Sequence, residues 1–133
     1  MYKYETTVKL RDTDAAGVMF FTSQLRIAHD AYESLFQELG FGLDMIIRDK
    51  DYALPIVHTQ ADYKTPVTVG DLLCIEVTVE RIGETSFELQ YIFKKGAEVS
   101  GTAKIVHVAV DKQSHQKILI PQGLRAALEK IKP

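Results

Sequence analysis

Residues 23–39 read SQLRIAHDAYESLFQEL, and within them Leu25, Ala28, Tyr32, Leu35 and Leu39 recur at intervals of three, four, three and four. That is the period of an α-helix, in which side chains three and four apart share a face. Ile27, Ala31 and Phe36 widen the apolar stripe, so the spacing predicts a helix of about five turns with a broad apolar face. Thr22 or Ser23 is placed to cap its first turn, and Gly40 follows the last apolar residue, where a left-handed cap suits glycine. A helix with that much apolar surface must lie against something large.

Working outward, residues 2–10 (YKYETTVKL) are aromatic and β-branched and predict a first strand. Downstream, LPIVHTQADYKT, LLCIEVTVERI, TSFELQYIFKK and EVSGTAKIVHVAVD are four β-rich runs separated by PVTVGD, GE and KKGAE. In the second run Leu73, Ile75, Val77 and Val79 alternate with Cys74, Glu76, Thr78 and Glu80. In the third, Phe87, Leu89, Tyr91 and Phe93 alternate with Glu88, Gln90 and Lys94. Such alternation belongs to half-buried antiparallel strands. In the first run it places Ile56, His58 and Gln60 on one face and Val57, Thr59, Ala61 and Tyr63 on the other. Pro121 opens a short amphipathic helix bearing Leu124, Ala127, Leu128 and Ile131. The order implies one α+β domain, residues 1–133, with an antiparallel sheet curled around the long helix. One sheet around one helix leaves strand edges uncovered, so a homo-oligomer, dimer or tetramer, is expected.

Composition narrows the function classes. At 133 residues the chain is long enough for a real core, and its 46% hydrophobic and 26% charged residues are an ordinary globular mixture. A net charge of -2 with scattered Lys and Arg gives no footprint for nucleic acid. No apolar run approaches a membrane span, and MYKYETTVKL lacks a signal-peptide core, so a soluble cytoplasmic protein is expected. The lone Cys74 has no second thiol and no metal-ligand spacing around it, and reads as a buried small apolar residue. No phosphate-cradling loop, paired CxxC, G-x-S-x-G or H-E-x-x-H occurs, and nothing calls for a metal or another cofactor.

The segment with chemistry in it is RDTDAAGVMFFTS, residues 11–23. Asp14 begins a turn of small residues, where a carboxylate ordinarily accepts hydrogen bonds from the following amides. About seven residues later the helix begins, and its free N-terminal amides are suited to polarising a carbonyl oxygen. A carboxylate beside such amides is the minimum equipment for acyl transfer. Asp12, next to Arg11, reads as solvated or paired with that arginine. His29 and Glu33 lie four apart on the helix, hence on one face, a pairing that on most helices is solvated surface. His58 lies in a strand, and His107 and His115 read as structural or exposed.

With these residues in hand, the chain resembles the hotdog-fold acyl-CoA thioesterases of the 4-hydroxybenzoyl-CoA thioesterase branch. TDAAGVMFF is similar to that branch's D-x-A-G motif followed by apolar and aromatic residues. RDTDAAGVMFF, HDAYES and DYALPIVHTQADYKTP together look most like the dihydroxynaphthoyl-CoA thioesterases of menaquinone and phylloquinone synthesis. The resemblance implies that Asp14 attacks the thioester carbonyl or activates water. It implies that the backbone amides of Phe21, Val18 and Gly17 form the oxyanion site, and that His29, Glu33 and His58 meet the aromatic hydroxyls. The branch often sets basic residues at a strand turn to hold the CoA phosphates. Here that turn is ERIGETSF with Glu84, which leaves Arg81, Lys94, Lys95 and Lys104 as substitutes.

Overall fold

The computed structural model describes all 133 residues. The chain runs β1 (Tyr2–Thr7), α1 (Phe21–Glu38), α2 (Leu43–Asp49), β2 (Tyr52–Ala53), β3 (Ile56–Tyr63), β4 (Leu72–Ile82), β5 (Ser86–Lys95), β6 (Glu98–Val108), β7 (Val110–Asp111) and α3 (Gln122–Glu129). Five strands form one antiparallel sheet in the order β1-β4-β5-β6-β3, and β2 pairs with β7 in a two-stranded ribbon.

The alternation read in β4 and β5 holds. Leu73, Ile75, Val77, Val79, Leu89, Tyr91 and Phe93 are fully buried against α1, whose Ile27, Ala28, Ala31, Tyr32, Leu35 and Phe36 fill the other side of the core. Each buried aliphatic or aromatic side chain of this size contributes about 1.5–3 kcal/mol of transfer free energy. This is the hotdog arrangement that the resemblance implies. α1 ends as expected: the Gly40 N–H donates to the Gln37 carbonyl (3.2 Å) and the Phe41 N–H to the Phe36 carbonyl (2.8 Å). Leu124, Ala127 and Leu128 of α3 are buried beside the sheet.

Three elements differ from the sequence expectation. β1 stops at Thr7 and a 3₁₀ turn occupies Leu10–Asp12. The helix α2 has no counterpart in the periodicity, because seven residues with one fully buried side chain, Ile46, show no repeat. The ammonium of Lys112 donates to the carbonyls of Ile46 (2.8 Å), Ile47 (2.7 Å) and Lys50, closing the C-terminal end of α2 from the strand side. Finally, a bulge between Ile56 and His58 shifts the register of β3 on β6. Ile56 pairs with the buried His107 and so faces inward, whereas His58, Gln60 and Asp62 pair with Val106, Lys104 and Thr102 on the outer face. Strict alternation put Ile56 with His58; the extra residue at Val57 separates them.

Candidate active site

The loop between β1 and α1 is a tight hairpin that presents Asp14. The Asp14 N–H donates to the Val18 carbonyl (2.8 Å) and the Gly17 N–H to the Asp14 carbonyl (3.0 Å). The carboxylate Oδ1 accepts from the amides of Ala16 (2.9 Å) and Val18 (3.2 Å), while Oδ2 has no protein partner and the residue is exposed. One carboxylate oxygen of Asp14 thus holds the turn, and the other is left without a protein partner. Gly17 has φ +78°, and a Cβ there would meet only Val69 Cγ1 at 3.9 Å. Its requirement is the left-handed backbone of the hairpin rather than close approach of a ligand.

Asp12 fixes this hairpin to α1. It is buried, accepts from the Lys9 N–H at 2.8 Å, and pairs with Arg26 on α1 rather than with the adjacent Arg11. Its own carbonyl accepts from the Phe20 N–H at 2.9 Å. The sequence reading of Asp12 as solvated or paired next door is corrected, because folding brings the second turn of α1 over it.

The first turn of α1 has no side-chain cap. Phe20, not Thr22 or Ser23, occupies the cap position and supplies no side-chain hydrogen bond. The Ser23 N–H finds the Phe20 carbonyl at 2.9 Å, while those of Phe21 and Thr22 donate to no protein atom. Omitting a cap costs a helix about 1 kcal/mol and leaves donors open at its positive end. Here they open onto a groove of about 360 Å³ lined by Val18, Phe21, Gln24, Tyr63, Lys64 and Thr65, among others. The Tyr63 hydroxyl donates to the Phe21 carbonyl (2.8 Å), and the buried Gln24 amide donates to the carbonyls of Asp62 (3.0 Å) and Thr102 (2.9 Å). These bonds hold the helix start against the Tyr63 end of β3. Of the three amides expected at an oxyanion site, those of Gly17 and Val18 are already spent inside the hairpin, and that of Phe21 is free.

Farther along α1 lies a second cavity, of about 290 Å³, between α1, α2, the β2–β7 ribbon and the Ile56 end of β3. Its walls are mostly apolar, with His29, Tyr32, Tyr52 and His107 among them. No group of three or more His, Cys, Asp or Glu side chains gathers to hold a metal ion.

A family model described as the thioesterase-like superfamily matches residues 8–128. The chain belongs to the thioesterase-like superfamily. It is 35% identical over 127 residues, covering 93% of this chain and 92% of the relative, to a 1,4-dihydroxy-2-naphthoyl-CoA hydrolase of Rippkaea orientalis. A hydrolase of the same name from Synechococcus elongatus is 33% identical over 129 residues, covering 96% of this chain and 95% of the relative. Among solved structures, a 1,4-dihydroxy-2-naphthoyl-CoA thioesterase from Synechocystis superposes with a TM-score of 0.92 at 32% identity, over 98% of this chain and 96% of that one.

For a thioesterase of this superfamily the residues named from sequence fall into two groups. Phe21 lines the groove and His29 the cavity, both on α1, while Asp14 stands on the hairpin whose Val18 and Met19 line the same groove. Glu33 instead lines a shallow depression with Tyr4, Asp30, Ser34 and Gln37, away from His29. His58 stands on the outer sheet face, where its Nε2 meets Gln60 Oε1 at 3.2 Å. Within one chain, neither Glu33 nor His58 joins His29. The cations expected to replace the basic turn are also diverted: Lys94 pairs with Glu76 (3.2 Å) and Lys95 with Asp71 (3.4 Å). Lys104 lies on the outer face opposite Gln60, and the Glu84 turn is packed under Arg125, whose guanidinium donates to the Gly83 carbonyl at 2.6 Å. Sequence reasoning missed Lys64 in the groove and Tyr52 and His107 in the cavity. Tyr52 and Lys64 stand in the DYALPIVHTQADYKTP segment without a role read for them there, and only the fold brings the three to the groove and the cavity.

Proposed function

We propose that this thioesterase hydrolyses an aromatic acyl-CoA, 1,4-dihydroxy-2-naphthoyl-CoA, to 1,4-dihydroxy-2-naphthoate and CoA, supplying the naphthoate to menaquinone or phylloquinone synthesis in the cytoplasm. The observation that carries the reading is the free Asp14 Oδ2 on a hairpin bound to an uncapped helix start. The curated relatives and the Synechocystis structure bear the names of enzymes for this substrate. The thioester carbonyl oxygen accepts from the Phe21 N–H, and α1 lends its partial positive charge to the oxygen as it becomes anionic. Asp14 either adds to the carbonyl carbon, giving an anhydride that water opens, or takes a proton from a water that adds there. In both routes the C–S bond breaks and CoA leaves as a thiol. Single turnover in ¹⁸O-water separates them, since only the anhydride route delivers unlabelled product with label left on Asp14.

The active unit is a homo-oligomer built on a dimer. β3 is a sheet edge exposed along nearly its whole length, with Val57 60% and Tyr63 51% accessible. Antiparallel pairing of two β3 edges sets the Tyr63 end of one copy beside the Ile56 end of the other, and with it the groove at the start of one copy's α1 beside the other's cavity. The substrate spans both. No helix is long and apolar enough to cross a membrane.

The test is Asp14→Asn with a panel of acyl-CoA esters. Asn retains an Oδ1 acceptor for Ala16 and Val18, so the hairpin and the melting temperature survive while turnover falls by about 10³-fold or more. Hydrolysis within tenfold of wild type, or preference for an aliphatic chain, refutes the assignment.

A further inference from the structure

Two polar atoms deep in the cavity have nothing to bond. His107 and Tyr52 are 1% and 5% accessible, and both His107 Nε2 and the Tyr52 hydroxyl are buried without a partner. A buried polar atom left unpaired costs about 1–3 kcal/mol, so two beside one cavity point to an occupant that satisfies them.

Their chemistry defines that occupant. The His107 ring is stacked between Tyr32 (4.5 Å between centroids) and Phe87 (5.1 Å), which fixes its plane. Its Nδ1 lies 3.0 Å from the Leu54 carbonyl oxygen, which only accepts, so Nδ1 carries the hydrogen. Burial, with the nearby His29 adding to it, holds the imidazole neutral down to about pH 4. Nε2 is therefore a lone pair seeking a donor. The one lysine at the cavity, Lys112, is not on offer to a carboxylate, because it is committed to three carbonyls of the α2 end. A methylene chain would leave both atoms unpaired. A flat ring bearing a neutral O–H fits between walls of Leu43, Ile46 and Ile56, and a volume of about 290 Å³ accommodates one or two fused rings.

We propose that His107 Nε2, with the Tyr52 hydroxyl, is the specificity element that accepts a ring hydroxyl at the end of the acyl group remote from the thioester. The inference rests on the aromatic acyl-CoA reading above and assigns its hydroxyl recognition to β6 and β2, in place of His29, Glu33 and His58. The experiment compares 1,4-dihydroxy-2-naphthoyl-CoA with 1-hydroxy-2-naphthoyl-CoA, which lacks only the remote hydroxyl. The wild type is expected to favour the dihydroxy ester by about 10- to 100-fold in kcat/KM. In His107→Phe, which keeps the stack and removes the acceptor, the ratio should fall below about threefold with hydrolysis of the monohydroxy ester retained. Tyr52→Phe deletes one oxygen and should lower the ratio part-way, which keeps the test decisive if the histidine variant fails to fold. Equal hydrolysis of both esters by the wild type, or undiminished discrimination in both variants, overturns this inference and leaves the thioesterase reading standing. Hydrolysis of neither ester overturns both.

Discussion

Acidification should weaken this fold through His107 by an amount that the structure sets. The ring has an ordinary value of 6.5, and burial lowers it to about 4. Above pH 6.5 the ring is neutral in both folded and unfolded chains, and pH has no effect through it. As pH falls below 6.5 the unfolded chain takes up a proton that the folded chain refuses, so stability declines by about 1.4 kcal/mol per unit. The decline levels off below about pH 4, after a total of about 3 kcal/mol. Against a typical total of about 5–15 kcal/mol this is a large share. Urea unfolding of wild type and His107→Phe, at one protein concentration, at pH 7 and 4.5 measures it. The wild type should lose about 2.5 kcal/mol more than the variant over that interval, since Phe cannot titrate. Parallel losses would show that the ring is not held neutral, and the acceptor assigned to Nε2 would go with it.

Three further outcomes follow from particular contacts. Asp12→Ala removes the buried acceptor of Lys9 and Arg26 and should cost about 2 kcal/mol in chemical denaturation, with turnover falling because the Asp14 hairpin loses its tie to α1. Gly101→Ala places a Cβ 2.6 Å from Gln24 Oε1 and 2.8 Å from the Asp62 carbonyl. It should destabilise by about 1–3 kcal/mol and lower kcat more than a comparable change elsewhere in the sheet. In sedimentation at micromolar concentration the chain should run as a dimer or larger; a monomer would refute the β3 pairing.

The strands, the long helix and the turn that carries Asp14 were legible in the sequence because each depends on short-range rules. Period 3.6 in residues 23–39 and period 2 in β4 and β5 state which side chains are buried, whatever they are buried against. Asp14 was legible because small residues follow it and a helix begins about two turns later in the chain. Local rules failed where a distant element decided the outcome. Asp12 found Arg26 across the loop, and Phe20 displaced Thr22 and Ser23 from the cap because the hairpin, not the helix, sets where α1 begins.

What the sequence determined by itself, then, is one antiparallel sheet around one helix with a carboxylate in the turn that precedes the helix, since periodicity and turn chemistry act within a few residues. Tertiary structure alone decided which side chains line the groove and the cavity. A single bulge at Val57 turned His58 outward and Ile56 inward, and the elements packed against α1 left His29 lining the cavity and Glu33 a separate depression. His107 became an acceptor only because Leu54 on a distant segment takes its Nδ1 hydrogen while Tyr32 and Phe87 shut out water. Hydrogen-bond direction and desolvation depend on groups far apart in the chain, and no spacing within the sequence encodes them.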